Sequence, residues 1–339
     1  MRSPTPSVFI RGLGAYKPER RLTNEDLSRI VETSDEWIRS RSGICERRVA
    51  APEETTADLG AQAAEVALRD AGVGREEIDL VIVATASAES TVPSTACLLQ
   101  RKLGLRAGIP AFDISAACSG FLYLLQIANH MLRAGDYRNA LVVASEKLSR
   151  IVDWQDRTTC VLFGDGAGAA VVSKCDVPHV GILGNVLGAD GTKGDLLAVA
   201  PRQAPAPEPV EGLPVGTHRI VMNGKEVFKN AVRVMSQACR EVLAKCGVGI
   251  EQVALIIPHQ ANMRIIDAIV DELGVERARV KVNLERYGNT SAASIPIALE
   301  EAYREGLVKE GDYVLLVAFG GGFTWAATLL KWFQPRTIS

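Results

Sequence analysis

The sequence predicts an α/β fold made from one unit used twice. Strand-like apolar runs alternate with helical periodicities, which implies mainly parallel strands with helices on the sheet faces. The segment ALRDAGVGREEIDLVI (67–82) recurs as VLAKCGVGIEQVALII (242–257). Gly72 and Gly74 align with Gly247 and Gly249, an offset of 247 − 72 = 175, and GDY recurs at 135–137 and 311–313. So long an offset is no solenoid period. It marks a duplicated and fused unit, with halves at 1–176 and 177–339.

The elements follow in order. VFIRGL (8–13) reads as an opening strand. In TSDEWIRSRSGICERR (33–48), Thr33 or Ser34 caps a helix and Glu36 sits in its first turn. Thr55 to Asp70 is a helix ending at Gly72, and IDLVIVATAS (78–87) is a buried strand. Pro93 to Leu103 is a helix with proline at its start. A strand from Ile109 to Ile114, a tight turn and a helix carrying Phe121, Leu125, Ala128 and Leu132 come next. ALVVASE (140–146) is another strand, and VLFGDGAGAAVVSK (161–174) reads as a Gly-interrupted strand pair, loosely matched by FTWAATLLKW (323–332).

In the second half, VAPRQAPAPEPVEGLPVG (199–216) is Pro-rich and polar, an exposed loop in polyproline form. GKEVFKNAVRVM (224–235) is an amphipathic helix with Val227, Phe228, Ala231, Val232 and Met235 on one face; Lys225 and Lys229 point elsewhere. KVNLERYGNTSAASIPIALEEAYREG (281–306) is the counterpart of the segment around Cys118, and Asn289 falls 289 − 118 = 171 residues after it.

Composition narrows the function. The chain has 339 residues, 47% of them hydrophobic, which supports a large core and excludes a disordered chain. No apolar run approaches the ~20 residues of a membrane span. MRSPTPSVFIRG lacks a signal-peptide core, so a cytoplasmic location is expected. The seven cysteines (45, 97, 118, 160, 175, 239, 246) form no CxxC pair, so no zinc pattern, and their odd number fits a reducing compartment. A net charge of −2 gives no case for nucleic acid.

Ligands of such sheets bind beyond the strands' carboxyl ends, here in the cleft between halves. Cys118 lies in FDISAACSGF (112–121), in the first turn of its helix. There the helix dipole and free N–H groups favour a nucleophilic thiolate; the alternative is a small buried cysteine. Of the four histidines (130, 179, 218, 259), only His259 follows an apolar strand into a loop, PHQANMRI, where an imidazole can do acid–base work. Its alternative is a structural histidine. Asn289 in YGNTSAAS is a functional amide or a turn residue. AFGGGFTW (318–325) lets backbone N–H groups approach a ligand, or is a bulge. GDGAG (164–168) departs from GxGxxG and precedes a strand, so a dinucleotide site is not expected.

Together, Cys118 in DISAACSGF, His259 in PHQANMRI, Asn289 in YGNTSAAS and the terminal FGGGFTW resemble the β-ketoacyl-acyl carrier protein synthase III family of the thiolase-like superfamily. The likeness runs in order from TSDEWI to the last strand. It implies a thiolase-like fold, two α/β halves layered αβαβα, assembled as a homodimer. It also implies an acyltransferase without a cofactor, which initiates fatty acid synthesis from acyl-CoA and malonyl-acyl carrier protein. By that resemblance, Cys118 holds the acyl group, and His259 and Asn289 donate to the malonyl thioester carbonyl as CO2 departs. The N–H groups of Cys118 and Gly321 meet the second oxyanion. Two neutral donors suit a decarboxylation, in which no proton must be removed.

The resemblance further implies that Trp37 and Arg157 sandwich the CoA adenine, Arg41 contacts the nucleotide and Asn262 the pantetheine. Lys229 and Arg264 form a basic rim for the acidic carrier protein. One departure is Val92 in ESTVPSTAC (89–97), where familiar bacterial members often place a phenylalanine that closes the acyl pocket across the dimer interface. The smaller valine implies room for longer, branched or aryl primers. A thiolase would need a second cysteine in the Gly-rich loop, which has none, and a hydroxymethylglutaryl-CoA synthase a glutamate base, for which only Glu89 is at hand. The remaining alternatives are a starter-unit ketosynthase or acyltransferase of natural-product biosynthesis, and a non-catalytic partner subunit. Intact Cys118, His259 and Asn289 disfavour the last.

Overall fold

The computed structural model describes residues 6–202 and 210–334. The first half runs β1 (Ser7–Tyr16), β2 (Arg21–Thr23), α1 (Asn24–Ser28), α2 (Asp35–Ser42), β3 (Glu46–Arg48), α3 (Thr56–Ala71), β4 (Leu80–Ala84), α4 (Thr95–Lys102), β5 (Ala111–Ile114), α5 (Gly120–Arg133), β6 (Asn139–Glu146) and β7 (Gly166–Cys175). The second runs β8 (Gly181–Ala189), β9 (Leu197–Pro201), β10 (His218–Met222), α6 (Gly224–Cys246), β11 (Val253–Pro258), α7 (Met263–Leu273), α8 (Leu284–Tyr287), α9 (Ser294–Arg304), β12 (Tyr313–Gly320) and β13 (Thr324–Lys331).

Two large sheets repeat one topology. Their strand orders are β1-β7-β6-β4-β5 and, reversed, β8-β13-β12-β11. The fifth strand of the second sheet shrinks to a single parallel bridge, Ile256 to Val280. Gly72 and Gly247, equivalent in the repeat, end α3 and α6 in the same left-handed conformation, φ 59° and 65°. The pairing is mixed, not mainly parallel. β4 pairs parallel with β5 and β6, while β6–β7 and β7–β1 are antiparallel. The same switch occurs after β12, because neither β6 nor β12 is followed by the crossover helix that parallel pairing needs.

Strand residues alternate between two interiors. Leu80, Ile82 and Ala84 face α5 and α9, while Val81 and Val83 face α3 and α4. Across the molecule, Leu255 and Ile257 face the same central helices and Ile256 faces the α6–α7 side. This period of two on doubly covered strands builds five layers: helix, sheet, helix, sheet, helix. Burial of each Leu or Val side chain contributes about 1.5–3 kcal/mol, and the central helices, covered from both sides, bury theirs against both sheets.

Several sequence expectations shift. Pro93 lies outside its helix; Ser94 is the N-cap, accepting from Cys97 N at 3.2 Å. Ser34, not Thr33, caps α2. Residues 161–174 yield one strand, β7, because Asp165 is drawn into the interior. Its carboxylate accepts from Ala50 N (2.8 Å), Ser149 N (2.8 Å) and Ser149 Oγ (2.6 Å), which turns the chain before the strand starts. The Pro-rich stretch begins inside β9, and its residues 203–209 lie outside those described.

Candidate active site

α5 and α9 meet between the sheets, and each is preceded by a single tight turn, Ala117–Ser119 and Ser291–Ala293. Ala117 and Ser291 both take positive φ, 45° and 49°, at an offset of 291 − 117 = 174. The small residues around Cys118 are dictated by crowding. A Cβ on Gly120 would lie 2.7 Å from Ala84 Cβ, and one on Gly320 would lie 2.6 Å from Cys118 N. The Gly-rich loop after β12 is thereby pressed against the cysteine's own N–H. Thr324 Oγ1 donates to Ala116 O at 2.8 Å and ties the start of β13 to the same turn.

His259 sits at the end of β11, its N–H donating to Val317 O at 2.8 Å. Its Nδ1 lies 2.7 Å from Ser294 Oγ, at the start of α9. Ser294 Oγ also accepts from Gln260 N at 3.3 Å and has its own proton to give to Nδ1. The imidazole then carries its proton on Nε2, as a donor. Burial pulls its pKa down to about 3, so the ring is neutral. Asn289 is fixed in the same manner. Its backbone bonds Leu162 O and Gly164 N, and its Oδ1 accepts from Ser291 N at 2.8 Å. The amide oxygen is thus occupied and Nδ2 is turned out as a donor.

Cys118, His259, Asn289 and Gly321 line one cavity of about 760 Å³. That volume lies in the range of small-molecule sites. Its walls are apolar, with Ile151, Leu197, Ile220, Met235 and Phe319, and Arg41, Lys225, Asn262 and Arg264 bring polar groups to it. The sulfur is not the thiolate expected of a helix tip. Burial pushes the Cys118 thiol up to about 12, and hydrogen bonding with Ser291 opposes this only in part. Desolvation is the largest cause of the shift, and the charge of Glu146 adds to it.

The outlying predicted residues fall unevenly. Trp37 is flanked by Arg41, 4.4 Å from Cζ to ring centroid, and Arg157, 5.3 Å. A base between ring and guanidinium needs about 7 Å, two van der Waals spacings, so that pair is closed. Asn262 caps α7, accepting from Arg264 N at 2.9 Å and donating to Arg41 O at 3.0 Å. Lys229 and Arg264 are exposed on α6 and α7, with Arg264 over the Phe228 ring. Val92 is 84% exposed and does not line the cavity of its own chain. Ser291, Ser294 and Glu146 were missed in the sequence. The serines of TSAAS read there only as small residues, yet their spacing of three at a helix start is what aims both hydroxyls inward.

Fold and site together define a thiolase-like acyltransferase. The sequence profiles for 3-oxoacyl-[acyl-carrier-protein] synthase III and its C-terminal part match residues 112–191 and 243–332. The β-ketoacyl-[acyl-carrier-protein] synthase III of Caldanaerobacter subterraneus subsp. tengcongensis is 51% identical, covering 95% of this chain and 97% of that protein. The crystal structure of 3-oxoacyl-[acyl-carrier-protein] synthase III from Aquifex aeolicus superposes with a TM-score of 0.88 at 51% identity, covering 96% of this chain and all of that one. The priming β-ketosynthase of a polyketide biosynthetic pathway is similar too, with a TM-score of 0.88, 38% identity and 99% of each chain covered. The chain belongs to the β-ketoacyl-acyl carrier protein synthase III family. Its reaction is the condensation that initiates fatty acid synthesis.

Proposed function

We propose that Cys118 carries the acyl group of an acyl-CoA primer, and that His259 and Asn289 hold the enolate formed from malonyl-acyl carrier protein. One observation carries this reading: Ser294 occupies His259 Nδ1 and Ser291 N occupies Asn289 Oδ1, which leaves two neutral N–H donors on the cavity shared with Cys118. The Cys118 sulfur attacks the primer thioester; the new S–C bond forms and CoA leaves. In malonyl-acyl carrier protein the bond to the carboxylate then breaks. Its electron pair moves onto the thioester oxygen, where the donors meet it, and returns as the new C–C bond to the acyl carbon. Each fixed donor at such an oxyanion is worth about 3 kcal/mol. The tetrahedral oxyanion on the acyl carbon falls to the N–H groups of Cys118 and Gly321.

Trp37, Arg41, Arg157 and Asn262 receive CoA; on this reading Arg157 swings off Trp37 to admit the adenine. Lys229 and Arg264 give the acidic carrier protein a positive rim that steers encounter. The halves 1–176 and 177–339 are the duplicated units, the enzyme is cytoplasmic, and it works as a homodimer. The free edge of β5 supports the dimer, together with a half-buried apolar strip of Phe112, Ile114, Tyr123, Ile127 and Met131 beside it. Two copies meeting there would place Val92 of one at the acyl pocket of the other. A starter-unit role in a secondary pathway is the second reading, favoured by Val92 and by the similarity to a priming ketosynthase.

Intact-mass spectrometry with acyl-CoA primers, beside CO2 release from carboxyl-labelled malonyl-acyl carrier protein, tests both steps. Cys118→Ala should take up no acyl group. His259→Ala and Asn289→Ala should load acyl groups yet release CO2 at least 100-fold more slowly, by the usual loss per oxyanion donor. Equal loss of loading in all three would overturn the division of roles. Loading without any CO2 release in the wild type would favour a plain acyltransferase.

A further inference from the structure

The thiol proton of Cys118 needs an acceptor when the sulfur attacks, and the site as described provides none. Burial holds His259 neutral, its Nδ1 is taken up by Ser294, and as the proposed enolate donor it keeps its proton on Nε2. The turn Ser291–Ala293 packs against both the Cys118 turn and β6, which ends in Glu146, and Ser291 shares the cavity with Cys118; the Ser291 side chain acts to lower the pKa of both the thiol and the carboxyl. Ser291 is pinned there by its left-handed backbone, φ 49°. Glu146, the last residue of β6, is fully buried and held by Ser87 Oγ (2.6 Å), Ala86 N (3.0 Å) and Thr85 Oγ1 (3.3 Å). We propose that Glu146, acting through the Ser291 hydroxyl, receives the Cys118 proton during acyl loading and returns it when the condensation product leaves.

The balance closes within the chain. As the S–C bond forms, the thiol proton passes to Ser291 Oγ and the Ser291 proton passes to Glu146. CoA departs as a thiolate and takes its proton from water. When the enolate carbon attacks acyl-Cys118, the S–C bond breaks; the sulfur recovers a proton from Ser291, and Ser291 from Glu146. Burial raises the Glu146 carboxyl to about 7, so half of it is ready to accept a proton near neutral pH. Among the described residues, the charged groups nearest it in the fold are turned elsewhere. Lys147, next in the chain, turns its ammonium to the carbonyls of Ala51, Pro52 and Glu54. Asp165, beside the β7 partner Gly166, is turned to Ala50 and Ser149. Cys118 is the titratable group that faces it.

Glu146 is thus a positioning residue and Ser291 the group in contact with the reacting sulfur. This rests on Cys118 being the acylated residue. The test is the rate of Cys118 acylation by butyryl-CoA, read by quenched intact-mass spectrometry from pH 5.5 to 9 in the intact protein. The wild-type rate should rise through about pH 7 and level off. Glu146→Gln and Ser291→Ala should lose that inflection and run about 100-fold slower at pH 7.5, the lower end of general-base effects. Glu146→Asp should keep the inflection. A wild-type profile in Ser291→Ala, or in folded Glu146→Gln, overturns the relay; should Glu146→Gln not fold, Ser291→Ala decides alone. Absence of any acyl group on wild-type Cys118 would instead overturn the assignment of the nucleophile.

Discussion

His259, the proposed enolate donor, shows how burial sets a side chain's form before any substrate arrives. Its folded pKa, about 3, lies below the 6.5 of a free imidazole, so between those values the unfolded chain binds more protons. Stability from this residue is complete above pH 6.5 and is lost as pH falls toward 3. The difference in unfolding free energy between wild type and His259→Gln should therefore grow by about 1.4 kcal/mol per pH unit from pH 4.5 to 6. Urea unfolding at those pH values checks it, and a constant difference would refute it. Ser294→Ala strips Nδ1 of its partner and frees the other tautomer; CO2 release should fall about tenfold while acyl loading holds, with Ser294→Thr restoring much of it, since orientation by one hydrogen bond is worth about 1.4 kcal/mol. That Cys118, His259 and Asn289 would share one cavity was legible in the sequence, because Cys118 and His259 follow recognisable apolar runs and Asn289 falls at the counterpart of Cys118 in the repeat. Their protonation states were not. The thiolate reading weighed the helix end and missed the burial, which raises the thiol.

At the scale of elements, the repeat was legible because matched glycines end matched helices. The antiparallel outer strands were not. Strand direction after β6 depends on a missing helix, and residues 147–165 show no periodicity that would announce its absence. The element that matters most to the site is the hairpin β12–β13, whose Gly320 abuts the turn before α5. Two backbones meet there, and neither can yield as a flexible side chain would. Gly320→Ala should cost about 1–3 kcal/mol of stability through overpacking. It should also move the N–H groups of Cys118 and Gly321 apart, so acyl loading should drop at least tenfold in protein that remains folded, an effect on the scale of losing half of one oxyanion donor. Circular dichroism melting beside intact-mass loading separates the two effects; normal loading would show that the hairpin does not set the site.

For the whole molecule, the two halves differ most at their sheet edges. The second sheet finishes its edge with one bridge to Val280, whereas the first leaves the outer edge of β5 open along its length. An open edge beside apolar side chains is a template for another strand, and a second copy is the partner that satisfies both edges at once. Sedimentation should give a mass of twice 36.4 kDa, 72.8 kDa, and Phe112→Lys with Ile127→Glu should reduce it to 36.4 kDa. The proposed dimer would give Val92 a role. In one chain it stands in solvent, with no cavity of its own to line. Across the dimer axis, the bulk at that position would fix the depth of the neighbour's acyl pocket. Burying two or three extra methylenes of a longer primer is worth about 2 kcal/mol at 0.8 per CH2, enough for roughly a thirtyfold preference. Val92→Phe should therefore reduce butyryl-CoA and longer primers relative to acetyl-CoA by about that factor in the dimer. It should change nothing in the dissociated form, which lacks the neighbour. A primer competition assay on both forms reads this directly, and an unchanged ratio in the dimer would remove Val92 from the pocket.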